Sequence, residues 1–194
     1  MLKKTNLIIA AHPDDETIGC SSVLRNSVVF MFSNPDNNRM KIFDEICDEL
    51  NITAVKFDLK ALELDTYGTR HLLGLLEGAY EYVSKEFKVE NVFGHYSNDF
   101  HQDHQALAKA TDIFCRRRTK DFKAYYQYFT DNNFPIEGLI LNPAPMKSLF
   151  LDKYSNGIEN SHLDYILDFS KMLQSKYQMA CIPEPFICKY RIGI

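Results

Sequence analysis

No two of the five cysteines in this sequence (Cys20, Cys47, Cys115, Cys181 and Cys188) stand in a C-x-x-C pair, and their number is odd. That excludes a disulfide framework and a thiolate zinc knuckle; free thiols in a reducing compartment are the simplest account. No stretch approaches the ~18 consecutive apolar residues of a membrane-spanning helix. The apolar run Leu7 to Ala11 is too short for the core of a signal peptide, so a cytoplasmic protein is expected. Positive charge is not in excess either. The 22 Lys and Arg stand against 26 Asp and Glu, a net charge of -4. This leaves no electrostatic footprint for nucleic acid or an anionic membrane, although one local pocket can still hold a small anion. Internal repeats, low-complexity tracts and linkers are absent.

What is present is a soluble, globular composition: 194 residues, 45% hydrophobic and 25% charged. Length and composition fit a single domain over residues 1–194 with one substantial core. Asn6 to Ala11 and Val28 to Phe32 are continuous apolar runs, the pattern of strands buried on both faces. Thr53–Phe57, Glu90–Gly94 and Lys123–Phe129 read as further strands. Between them, Asp14 to about Arg25, Arg39–Leu50, Leu72–Phe87 and Gln102–Arg118 read as helices, with Gly19 weakening the first. Strand and helix alternate four times. The fold class expected is α/β, a Rossmann-like, mostly parallel sheet with helices on both faces. After a break at Asp131–Asn133 and Pro135 the pattern blurs. One or two short strands are expected around Pro143 and Pro145, a late helix over Ser161–Tyr177, and a final strand at Phe186–Tyr190. The late helix either covers the sheet or makes a homo-oligomer contact.

Two clusters carry chemistry. Ala11-His12-Pro13-Asp14-Asp15-Glu16 follows the first strand, and Asp99-Phe100-His101-Gln102-Asp103-His104 follows the fourth. In an open parallel sheet ligands gather at the carboxyl ends of strands, so both clusters fall at the same end. Acidic residues at a helix start also suit the helix dipole, which accounts for Asp14, Asp15 and Glu16 without any function. It accounts neither for His12 nor for the second cluster. Two histidines and one carboxylate suit zinc or another divalent transition metal, with positions open for water and substrate. A second carboxylate beside such a site can act as general base, and a further histidine can stabilise an oxyanion.

AHPDDE after the first strand and HQDH after the fourth resemble the paired AHPDDE and H-x-D-H motifs of the PIG-L / LmbE-like deacetylase superfamily. The Glu184-Pro185-Phe186 stretch resembles that family's closing E-x-F. The resemblance implies a zinc-dependent amide hydrolase that deacetylates an N-acetylated amino sugar or its conjugate, a small-molecule substrate. It implies His12, Asp15 and His104 as metal ligands and Asp14 as general base. It implies His101 as the oxyanion-stabilising or proton-donating residue, with Asp103 orienting His101 and raising its pKa. Arg39 and Asp65 are the candidates for binding sugar hydroxyls. The sequence departs from the family where Ser21-Ser22 follow Gly19-Cys20 in place of further glycines, and where Ile42 stands three residues after Arg39. Removal of a different acyl group, cleavage of a thiol conjugate, and a metal-binding module without catalysis are the alternatives.

The remaining features have plainer readings. Arg116-Arg117-Arg118 suits a helix C-terminus. Tyr125, Tyr126, Tyr128 and Phe129 suit a core strand. His95 lies just past the fourth strand, where it either lines the site or supports it. His71 and His162 are expected at the surface.

Overall fold

The computed structural model describes residues 1–130, 139–155 and 160–191, and the side chains of these other than 139, 160–166, 190 and 191. The expected break at Asp131–Asn133 and Pro135, and the side chains of His162, Leu163 and Ile166, lie outside the described residues. The elements run β1 (Lys3–Ala10), α1 (Asp15–Cys20), β2 (Val28–Ser33), α2 (Asn37–Leu50), β3 (Thr53–Leu59), α3 (Gly68–Val83) and β4 (Phe87–His95). They continue with α4 (Gln102–Arg117), β5 (Ala124–Tyr128), β6 (Leu139–Pro143), α5 (Lys147–Tyr154), α6 (Asn160–Lys176) and β7 (Pro183–Arg191). Among the described residues, seven strands form one sheet in the order β3-β2-β1-β4-β5-β7-β6. The first five are parallel; β7 runs antiparallel to both β5 and β6. The α/β, Rossmann-like, mostly parallel sheet read from the sequence is what the chain forms.

The apolar runs in β1 and β2 divide between two faces, as the two-residue period of a strand requires. Leu7, Ile9, Ala11, Val28, Phe30 and Phe32 pack with residues of α3 and α4. Ile8, Ala10, Val29 and Met31 pack with residues of α1, α2 and α5. None of these strand residues is exposed to solvent. Layers of helix on both sides explain why these strands are continuously apolar rather than alternating. The strand order reverses between β1 and β4, so the crevice at their carboxyl ends is the place where such a sheet binds ligands.

Several boundaries differ from the sequence reading, each for a physical reason. Helix α2 begins two residues early because Asp36 caps it, its carboxylate accepting the Arg39 N–H at 2.8 Å. Helix α3 ends at Val83, and Phe87–Val89 pair instead with Lys3–Thr5 of β1, whose edge would otherwise be unsatisfied. Helix α5 has no counterpart in the sequence reading. Its apolar residues Leu149, Phe150 and Leu151 are consecutive and so show no helical period, and Pro143 and Pro145 point to turns. The chain of α1 tightens into a 3-10 turn at Ser21–Val23. Glu184 of β7 stands behind this turn, accepting the N–H groups of Ser21 (2.7 Å) and Ser22 (2.8 Å) and the Ser21 hydroxyl.

Gly19 is where propensity and packing disagree. A glycine inside a helix costs about 1 kcal/mol against alanine. Yet a Cβ there would lie 2.1 Å from the ring of Tyr128, which is wholly buried in β5. Alanine at this position must push α1 away from the sheet. Gly19→Ala is therefore expected to destabilise the protein by about 1–3 kcal/mol, despite the better helix former. A rise in the thermal midpoint, measured by calorimetry, would show that α1 is free to move.

Candidate metal centre and active site

The loop after β1 is tightly tied. Ala11 O accepts both the N–H and the hydroxyl of Ser33, at 2.9 and 2.7 Å, which fixes it to the end of β2. His12 N–H donates to Asp15 Oδ2 at 2.8 Å, and Asp15 N–H donates back to His12 O at 3.2 Å. Asp14, between them, is the N-cap of α1 and has φ of 135°. Side chains other than glycine rarely adopt that conformation, at a cost of roughly 1–3 kcal/mol. The Asp14 carboxylate makes no cap bond of the usual kind. It meets the guanidinium of Arg39 instead, at 2.9 Å, while Asp36 holds Arg39 Nε at 3.0 Å.

The second cluster arrives from β4 and the start of α4. His101 is the N-cap of α4, its Nδ1 accepting the Asp103 N–H at 3.2 Å. This bond places the ring proton of a neutral His101 on Nε2. Burial first, and then the positive charges of His104 and His12, lower the His101 pKa. Asp103 and His104 are buried at the first turn of the helix.

Together the two loops bring His12 Nδ1, His104 Nε2 and the Asp15 carboxylate to one point. His12 Nδ1 lies 3.4 Å from Asp15 Oδ2, and His104 Nε2 lies 3.3 Å from Asp15 Oδ1. The two ring nitrogens are 3.3 Å apart. A tetrahedral ion with ligand bonds of about 2.0–2.1 Å has edges of about 3.3 Å between ligand atoms. The two nitrogens match one such edge, and each faces one oxygen of Asp15 at a similar distance, so the donor set suits a zinc-type site. The far nitrogens of both rings are held as well. His12 Nε2 meets Asp103 Oδ2 at 2.9 Å. His104 Nδ1 meets Asp99 Oδ2 and the Thr130 hydroxyl, each at 3.1 Å. A carboxylate behind each histidine is the arrangement that orients metal-ligating imidazoles and raises their basicity.

The electrostatics follow from packing acids and imidazoles together out of water. For His12, burial alone lowers the pKa, but Asp103 and Asp15 outweigh it and raise it to about 9. For His104, burial is likewise overcome by Asp15 and Asp99, and the value rises to about 10. Asp15 is held well below its ordinary value by His104 and His95 against the effect of burial. Asp14 moves the opposite way, raised by burial and by the charges of Asp15 and Glu16, with Arg39 only partly offsetting them. Two adjacent carboxylates are driven apart, one fixed as an anion and one poised to take a proton.

Set against the sequence reading, the structure brings His12, Asp14, Asp15, His101, Asp103 and His104 into one cluster, and Arg39 reaches it through Asp14. Asp65 does not join. It is exposed in a 3-10 turn at Leu64–Tyr67. One expected role is corrected. The Asp103 carboxylate does not bond His101, and although its charge pulls the His101 pKa upward, burial, His104 and His12 outweigh it and the net shift is downward. The carboxylate faces His12 and accepts the N–H groups of Leu62 (2.7 Å) and Leu64 (2.9 Å). Backbone geometry decides this, since His101 caps the same turn through the Asp103 N–H and leaves the side chain to point elsewhere. The sequence reading gave no role to Thr130 or Asp99. Asp99 lay inside the quoted cluster, but its link to His104 crosses to Thr130 just past β5, which no local spacing reveals. His95 is fully buried as a support. Its ring stacks on His104 at 4.0 Å, and its Nε2 accepts the Ala11 N–H at 3.0 Å. Burial, then His104, press its pKa to about 3, so it stays neutral.

No family model matches this chain, and no curated protein does. Solved structures do match over nearly the whole chain. The conserved protein TT1542 from Thermus thermophilus matches with a TM-score of 0.73 and 17% identity, over 100% of this chain and 97% of that one. The N,N'-diacetylchitobiose deacetylase from Pyrococcus horikoshii matches with a TM-score of 0.68 and 13% identity, over 96% of this chain and 83% of that one. GalB, the 4-carboxy-2-hydroxymuconate hydratase from Pseudomonas putida, matches with a TM-score of 0.68 and 14% identity, over 100% and 98%. At these identities the likeness is one of fold.

Two outcomes are expected from the centre. Asp103→Ala removes the carboxylate behind His12 and should weaken zinc binding by roughly 10–100-fold, read by competition with a chromophoric chelator. The second concerns pH. Histidines raised from 6.5 to about 9 and 10 stabilise the metal-free fold below 6.5, and that stability is lost as the pH rises through the folded values. The thermal midpoint of metal-free protein should therefore fall between pH 6.5 and 10 more steeply than that of the His12→Gln/His104→Gln variant. Zinc displaces those protons, so its affinity should rise over the same range. Equal slopes for the two proteins would show that the carboxylates do not raise the two imidazoles.

Proposed function

We propose that this protein is a metal-dependent hydrolase that removes an acetyl group from the amide nitrogen of an amino-sugar-type small molecule, as the PIG-L / LmbE-like resemblance implies. Residues 1–194 then form one deacetylase domain, and the five free cysteines favour a cytoplasmic setting. The observation that carries the reading is the pair Asp14 and Asp15. One carboxylate closes the His12–His104 triangle, and its neighbour is withheld both from that triangle and from helix capping. A metal-binding module needs only the first.

Held by His12, Asp15 and His104, zinc would supply Lewis acidity and a water acidified to near-neutral pKa. Asp14, with its pKa raised, takes the proton from the attacking water and passes it to the leaving nitrogen. Arg39 holds the Asp14 carboxylate in place, and its remaining N–H groups are available to substrate hydroxyls. His101 acts as a neutral donor. Its Nδ1 is occupied by the Asp103 N–H, so its Nε2–H is the group that stabilises the oxyanion of the tetrahedral intermediate. Asp103 and Asp99 orient the two imidazoles from behind. Support for deacetylation over other hydrolytic chemistry comes from the motif pair and from the deacetylase of shared fold. The hydratase of shared fold makes water addition to an unsaturated acid the second reading.

Acetate release from N-acetylated sugars, free, lipid-linked and nucleotide-linked, tests the proposal. Wild-type protein with zinc should turn over at least one. Asp14→Asn should lose about 10²–10⁴-fold in kcat while still binding zinc, and His104→Ala should lose both activity and metal. Zinc-loaded wild type that hydrates an unsaturated acid but releases no acetate would overturn it.

A further inference from the structure

Three carboxylates in a row, Asp14, Asp15 and Glu16, open α1, and the reaction proposed above uses only the first two. Glu16 is wholly buried, with no solvent exposure. Its Oε2 accepts the backbone N–H of Asp14 at 2.9 Å. Its Oε1 accepts the hydroxyls of Thr17 at 2.9 Å and of Tyr154 at 3.0 Å. Tyr154 is itself fully buried and closes α5. Every one of these partners is a donor, which is what an ionised carboxylate satisfies and an apolar side chain does not.

In a capping box the N-cap side chain and an acid one turn in satisfy each other's backbone amides. Here only a variant of one half is made, with the acid at the second helical position instead of the third. Glu16 reaches back to the N-cap N–H, but the Asp14 side chain bonds no amide of the helix. The helix is closed by the Asp14 carbonyl, which accepts the N–H groups of Thr17 (2.9 Å) and Ile18 (2.8 Å). With φ at 135°, the Asp14 carboxylate leaves the cap and meets Arg39.

We propose that Glu16 is a positioning residue for the reaction: anchored by Tyr154, its carboxylate grips the Asp14 N–H and holds Asp14 in the left-handed conformation that turns its own carboxylate away from the helix and into the site. The proposal rests on Asp14 being the general base. Glu16 reaches no ligand atom of the centre; its one hydrogen bond to the machinery is to the Asp14 backbone N–H. Tyr154 extends the device to α5, which packs against α1 and α2. Glutamine preserves the function, because its carbonyl can accept the Asp14 N–H while its amide donates to a hydroxyl oxygen of Thr17 or Tyr154. A role limited to joining α1 to α5 would lower stability in proportion to lost packing and leave kcat alone.

The experiment compares zinc-loaded wild type, Glu16→Gln, Glu16→Met and Tyr154→Phe in two ways. Kinetics on the sugar turned over fastest separate kcat from KM, and 15N-edited NMR follows hydrogen exchange at the Asp14 amide. Glu16→Met should lower kcat by roughly 30–100-fold with KM nearly unchanged, the loss expected when a reacting group is misplaced by about 1 Å. Its Asp14 amide should exchange at least about 10-fold faster while Ile8 and Ile9 in β1 keep wild-type rates. Glu16→Gln should stay close to wild type in both. If Glu16→Met is less stable but keeps kcat and slow Asp14 exchange, the proposal is wrong. Should Glu16→Met fail to fold, Tyr154→Phe decides. It removes one bond with little change in volume, and unaltered kcat and exchange there overturn the proposal equally. If wild type releases no acetate at all, the deacetylase reading fails by itself, and the exchange data still decide whether Glu16 holds Asp14.

Discussion

The hydrogen bond between His12 and Asp103 joins everything else in this molecule. At 2.9 Å it ties the loop after β1 to the first turn of α4. The same Asp103 carboxylate gathers the Leu62 and Leu64 N–H groups, so the loop after β3 is bound to the same point. Three segments remote in sequence meet on one carboxylate. A buried charge without partners costs several kcal/mol. Asp103 is tolerated because a histidine and two backbone amides satisfy it. His12 is in turn fixed with one nitrogen facing inward, and only then can the inner nitrogens of His12 and His104 stand 3.3 Å apart.

That arrangement concentrates unfavourable electrostatics. Asp14, Asp15 and Glu16 are consecutive and buried, and His12, His95, His101 and His104 crowd one another in stacked or edge-on contacts. The histidines hold Asp15 as an anion, and the neighbouring carboxylates then raise Asp14, which separates the roles of two adjacent acids. The strained Asp14 backbone belongs to the same account. A metal ion placed among these donors relieves repulsion that the protein alone only distributes among its protonation states. The rigid layers on either side, with Tyr128 seated against Gly19, keep this crowded region from relaxing.

Shared fold and shared chemistry separate in this protein. Both a deacetylase and a hydratase are among the solved structures that share this fold. A parallel sheet with a crevice at the β1/β4 reversal offers a place, and the side chains in that place decide the reaction. The half-made cap at α1 is such a decision. One acid takes over the capping of the N-terminal amide, and the residue at the N-cap keeps its carboxylate for other use.

The sequence by itself determined the alternation of strand and helix, the parallel core of the sheet, and the two clusters at its carboxyl edge. These are local matters, carried by apolar runs, helical period and contiguous motifs, so short windows of sequence reveal them. The tertiary structure alone decided the rest. It set β7 antiparallel between β5 and β6, and it made a helix of Lys147–Tyr154, whose apolar residues show no period. It turned Asp103 toward His12, recruited Thr130 and Asp99 behind His104, and left Asp65 outside. It also turned Gly19 from a weakness in a helix into the space a tyrosine ring occupies. Each of these depends on a hydrogen bond or a close approach between residues far apart along the chain. Such contacts follow from how layers stack and which buried donor finds which acceptor, and no window of neighbouring residues contains both partners.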